Sequence, residues 1–233
     1  MKRLKEVSTY YRNVFLFQCE TETRTEKHIS FELSGIALTA ALKFIMMDWL
    51  NMKAFYITGI CLFWIGYILF RYFNHKAILT EWGFSLKGFR ETIIFLLPFL
   101  LLCFGSSLIL ALNNNVSIIN WRILPILFMY PLWGLFQQYI MIILIYGNIV
   151  ELERVNLSRQ GAIAITALLF SIVHYPSFFL MIFVFVMEIL FLIAWSRWKN
   201  LLALGLIHGL IGTVILYFIN ERHLWLELFE WFN

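Results

Sequence analysis

Seven long runs of apolar side chains, separated by short charged segments, leave this chain few folds to choose from. The runs are Leu33 to Leu50, Lys53 to Phe70, Thr92 to Leu112, Ile123 to Val150, Gln160 to His174, Ser177 to Trp195 and Leu201 to Ile219. At 1.5 Å per residue, most are long enough to cross a hydrocarbon layer of about 30 Å. A soluble domain is excluded by composition: of 233 residues, 61% are hydrophobic and only 14% charged, too little polar surface to wet a globule. The expected fold is all-α, a polytopic membrane helical bundle of about seven transmembrane helices.

Basic residues orient these spans. Lys2, Arg3, Lys5, Arg12, Arg24 and Lys27 precede the first run, and Arg71, Lys76, Lys87 and Arg90 separate the second from the third. Arg154 and Arg159 fall between the fourth and fifth, Arg197 and Lys199 between the sixth and seventh. The alternate set of loops holds only Lys53, Arg122 and Arg222. Short basic loops stay cytoplasmic, which predicts a cytoplasmic N-terminus and an outside C-terminus in the plasma (inner) membrane. Residues 1–32 are expected to be a cytoplasmic amphipathic segment, 33–219 the transmembrane domain and 220–233 an amphipathic tail. The net charge of +4 comes from loop lysines and arginines. It predicts contact with membrane lipid and not with nucleic acid, since the aromatics lie in apolar spans away from any basic patch. Cys19, Cys61 and Cys103 are widely spaced and suggest neither a metal site nor a disulfide.

Inside the apolar runs lie Gln137, Gln138, His174, Glu188 and His208. Hydrocarbon offers such groups no water, so each needs a partner. Helical hairpins allow their depths to be compared. Glu188 precedes the turn at Trp198-Lys199 by about ten residues and His208 follows it by about ten, placing both near 15 Å from that edge. Mirroring Gln138 across the turn near Arg154 lands close to Ser171, with His174 about one turn further out. Singly, each of these residues reads as interhelical glue. Gathered at one depth, they read as a shared polar site.

In order and spacing, three motifs resemble the CPBP family of intramembrane proteases, which includes the type II CAAX prenyl endopeptidases and the Abi bacteriocin-immunity proteins. That family carries Glu-Glu-x-x-x-Arg, then Phe-x-x-x-His, then His-x-x-x-Asn. Here Gln137-Gln138 stands where the glutamate pair would be, Phe170 to His174 matches the second motif, and His208 opens the third. The segments Glu81 to Arg90 and Trp198 to Leu201 also look like the family's cytoplasmic loop and the turn before its last histidine. The resemblance covers about residues 81–218. Four positions depart from it: both glutamates are glutamine, the arginine position is Ile142, and the asparagine position is Gly212 beside Thr213.

The resemblance implies a CAAX-protease-like core in which glutamates and histidines activate a water. An amide positions a water but does not usefully take its proton. The expectation is therefore a pseudoprotease that binds a hydrophobic or lipidated ligand, such as a lipidated peptide, or a membrane-protein partner. The alternative is an active, divergent endopeptidase using His174, His208 and Glu188 as catalytic groups. The same three side chains also form a two-histidine, one-carboxylate set for a divalent metal such as zinc. Transport is the third reading, disfavoured because the chain has neither repeated halves nor matching broken helices.

Overall fold

The computed structural model describes residues 24–114, 123–152 and 157–219; the amphipathic tail and residues 1–23 of the amphipathic N-terminal segment lie outside them. The described residues are helical, without strands. Helix α1 (Glu26–Leu42) continues as a π-helical stretch, Lys43–Trp49, and α2 (Lys53–Asn74) returns. A short α3 (Ile78–Glu81) leads to α4 (Phe89–Asn113). Next comes α5 (Ile123–Gln138), prolonged by a π-helical stretch, Tyr139–Tyr146, and by α6 (Gly147–Glu151). The remaining helices are α7 (Arg159–Ile172), α8 (Phe178–Trp198) and α9 (Leu201–Phe218).

Six of these legs are long and apolar enough to cross a membrane: Glu26–Trp49, Lys53–Asn74, Phe89–Asn113, Ile126–Glu151, Phe178–Trp198 and Leu201–Phe218. The fifth of the seven expected spans is shorter. Helix α7 has 14 residues, about 21 Å of helix. It nevertheless runs antiparallel to α8 over most of that helix's length, because Arg159 donates to the Ser196 carbonyl at one end and Ser171 to the Met181 carbonyl at the other. The described residues thus pass seven times along the bundle, six times on helices of membrane-spanning length.

The first span also begins earlier than expected, at Glu26 instead of Leu33. Thr25 caps it, its hydroxyl accepting from the His28 amide. Glu32 does not end the helix because its charge is met inside the bundle. Arg71 of α2 donates to Glu32 Oε1 at 2.9 Å, the Tyr67 hydroxyl donates to the same oxygen, and Asn148 of α6 donates to Oε2 at 2.6 Å. Arg24 lies 3.7 Å from Oε2 and donates to Asn148 Oδ1 at 3.1 Å. This ionic cluster joins α1, α2 and α6 at one end of the bundle.

The same end carries a loop clamp. Asn200 donates to the carbonyls of Ser85 and Lys87, at 2.6 and 2.9 Å, while its own side-chain oxygen accepts from the Ala203 amide and caps α9. Gly83 adopts φ +75°, and a Cβ there would meet the Lys199 carbonyl at 2.5 Å, so only glycine lets the two turns touch. The two segments singled out from the sequence, Glu81 to Arg90 and Trp198 to Leu201, therefore pack on each other. Trp82 in the first of them lies under the Arg71 guanidinium, which ties this clamp to the ionic cluster.

Candidate functional site

Close approach of α5 and α9 creates the site. A Cβ on Gly209 would lie 2.3 Å from the Pro131 backbone, one on Gly205 2.5 Å from Leu135 Cα, and one on Gly134 2.7 Å from the Gly205 carbonyl. Gly205 and Gly209 are four residues apart, hence on one helical face, the small-residue spacing that lets membrane helices meet backbone to backbone. Gln138 stands one turn beyond Gly134 and His208 sits between the two α9 glycines. Both side chains are thereby brought to the same seam.

Three of the five candidate residues meet there. Gln138 Nε2 donates to Glu188 Oε2 at 2.9 Å and lies 2.9 Å from His208 Nδ1. With Nε2 bearing both protons, His208 Nδ1 is the acceptor, and the neutral ring carries its proton on Nε2. Gln138 and Glu188 are 0% exposed and His208 is 7% exposed, so what access the cluster has lies at the histidine. The Glu188 and His208 positions follow from the hairpin: α8 and α9 turn through Lys199, whose φ is +44°, and residues equally distant from that turn come level. Two oxygens of the cluster, Gln138 Oε1 and Glu188 Oε1, are buried without a hydrogen-bond partner among the described residues, as is the neighbouring Tyr139 hydroxyl. The π-helical stretch begins at Tyr139, directly after Gln138. Such wide turns are rare and are frequent at functional sites.

Gln137 and His174 take no part in the hydrogen bonds joining Gln138, Glu188 and His208, although His174 is an electrostatic neighbour of His208. Gln137 is half-buried, turned about 100° from Gln138 around the helix. None of the cluster's hydrogen bonds goes to it. His174 is half-buried on the turn after α7, where its Nδ1 donates to the Phe170 carbonyl at 2.8 Å. That bond accounts for the Phe-x-x-x-His spacing, one helical turn. The Phe170 ring stands edge-on to both histidines, with centroids 4.9 Å from His174 and 5.7 Å from His208.

Such an arrangement does not fit the metal expected from His174, His208 and Glu188. Among the described residues, no group of three or more histidines, cysteines or carboxylates is placed to hold a metal ion. His208 is held in the wrong tautomer for a ligand, its Nδ1 accepting from Gln138 and its Nε2 bearing the proton, and the Phe170 ring borders both histidines. In the third motif, the Thr213 hydroxyl donates to the Gly209 carbonyl within its own helix and not to the cluster.

Sequence reading missed the ionic cluster of Glu32, Arg71, Tyr67, Asn148 and Arg24. A signal was present: Glu32 opens the first apolar run and Arg71 closes the second, so a hairpin brings opposite charges level. Asn148 had no such signal, because only the packing of α6 on α1 pairs it with Glu32.

No protein-family model matches the chain, nor does any curated protein or solved structure.

Proposed function

We propose that this integral membrane protein is a non-proteolytic counterpart of the CPBP-type endopeptidases it resembles. In this reading it holds a hydrophobic or lipidated ligand, or a membrane-protein partner, beside the Gln138 cluster. One observation carries the proposal. At the position where the resemblance expects a catalytic carboxylate, an amide spends both its N–H groups on Glu188 and His208. An amide takes no proton from a water, and the His208 Nδ1 lone pair is engaged by that amide. The residues are held as a hydrogen-bonded binding surface instead of a base poised on water. Fold alone decides nothing here, so the assignment rests on these side chains.

A second reading is favoured by Glu188 Oε1, the carboxylate oxygen with no partner among the described residues. In it, Glu188 serves as general base: it takes a proton from a water whose oxygen attacks the peptide carbonyl, then returns that proton to the amine that leaves as the C–N bond breaks. One assay separates the two. Protein in lipid nanodiscs is incubated with lipidated and unlipidated membrane peptides, comparing wild type, His174→Ala and Glu188→Gln. The proposal expects the lipidated peptide to be retained and left intact by wild type. Cleavage by wild type, lost in both variants at unchanged unfolding temperature, would overturn it in favour of the endopeptidase.

Orientation belongs to the same proposal. The basic loops at the Asn200 clamp are taken to face the cytoplasm, with the N-terminus, in the plasma (inner) membrane. Single cysteines introduced at Asn114 and Asn74 test this with a membrane-impermeant thiol reagent. The first should react from outside only; the opposite pattern inverts the topology.

A further inference from the structure

The Gln138 cluster is rich in acceptors and poor in donors. Gln138 uses both N–H groups, yet its carbonyl oxygen and Glu188 Oε1 stay buried without a partner among the described residues. A buried acceptor left without a donor is unfavourable, and one on a carboxylate is more so. Charge points the same way. Among the described residues, lysine, arginine and histidine pair with Glu32, Asp48, Glu81 and Glu151, and Glu188 has no such partner. Its hydrogen-bond partner is a neutral amide. An ionised carboxylate enclosed in this way is stabilised by a cation. The Phe170 and Phe191 rings, 5.7 and 6.3 Å from the His208 ring, make the surroundings of the cluster apolar.

We infer that the cluster binds the protonated primary amine of an amphiphile, whose ammonium donates to Glu188 Oε1 and Gln138 Oε1 while its alkyl chain lies among the apolar side chains of the bundle. The inference rests on the proposed role of this cluster in holding a hydrophobic ligand, and it specifies the ligand's head group. A primary ammonium has three donors and no acceptor, the complement of a cluster whose unpaired atoms are acceptors. An alcohol brings one donor without charge. A quaternary ammonium brings charge without a donor. Neither matches both features of the site.

Three ligands of equal chain length isolate those features: n-octylamine, n-octanol and n-octyltrimethylammonium. The unfolding temperature of the protein in nanodiscs is followed at pH 7 against the concentration of each. Octylamine should raise it in wild type, and the other two should need at least tenfold more ligand for the same shift. Glu188→Gln should abolish octylamine's advantage. Equal shifts from octylamine and octanol would overturn the amine inference while leaving the hydrophobic-ligand reading standing. No shift from any of the three would overturn both. An octylamine advantage that persists in Glu188→Gln would place the amine elsewhere and overturn the inference. Should that variant fail to fold, the wild-type ranking decides alone.

Discussion

Glu32 and Glu188 are both fully buried, but they are treated in opposite ways. Glu32 sits at one end of the bundle with donors on both oxygens: Arg71 and Tyr67 on one, Asn148 on the other, and Arg24 alongside. Glu188 lies deep among α5, α8 and α9 with one neutral donor on one oxygen and, among the described residues, no partner on the second. A chain built only for stability would treat both carboxylates as it treats Glu32, because an uncompensated buried charge is costly. The contrast separates a carboxyl whose partners fasten helices from one that keeps an oxygen open for something else. The two regions are also physically linked, since the Arg71 guanidinium stacks over Trp82, whose ring packs on Tyr139, the neighbour of Gln138.

The largest effect is expected at the fastening end. Arg71→Leu removes the closest cation from Glu32 and should destabilise the protein by about 3–5 kcal/mol, the usual cost of breaking a buried pair. Denaturant titration in micelles measures it, and a loss below about 1 kcal/mol would show that Glu32 is not held as described. Next in size is the helix seam. Gly209→Ala drives a methyl group into the Pro131 backbone and should cost about 1–3 kcal/mol. It should also spread the Gln138–His208 contact, which the histidine ring resonances report. An unperturbed ring with unchanged stability would mean that α5 and α9 do not touch there.

How far these two regions were legible in the sequence follows from their physics. Run length and loop charge outlined the bundle because hydrocarbon thickness dictates both. Depth was legible at Glu188 and His208, as a tight turn makes helix arithmetic reliable over ten residues. Azimuth was not. Gln137 and Gln138 look alike in sequence, but a 100° step turns one toward α9 and leaves the other half-buried. His174 lies in the right turn, yet it is hydrogen-bonded back to Phe170, whose ring borders both histidines. Glu32 misled the start of the first span, since a carboxylate in an apolar run reads as a boundary until its cations on other helices are known. The π-helical stretch after Gln138 has no compositional mark at all.

A smaller effect is expected at the loop clamp. Asn200→Ala removes the α9 cap and two bonds to the 85–87 loop and should cost about 1–2 kcal/mol. Labelling of single cysteines introduced into the 82–88 segment should quicken in that variant while the Gln138 cluster is undisturbed. Unchanged stability and labelling would show the clamp to be incidental.

The most direct test of the contrast sets two matched substitutions side by side, Glu32→Gln and Glu188→Gln, each preserving shape while removing charge. Unfolding free energy is measured for both in the same micelles. The account predicts a loss of about 3 kcal/mol for Glu32→Gln, which strands Arg71, and no loss or a slight gain for Glu188→Gln, which strands no cation. Equal losses at the two positions would contradict it, making Glu188 one more structural fastener.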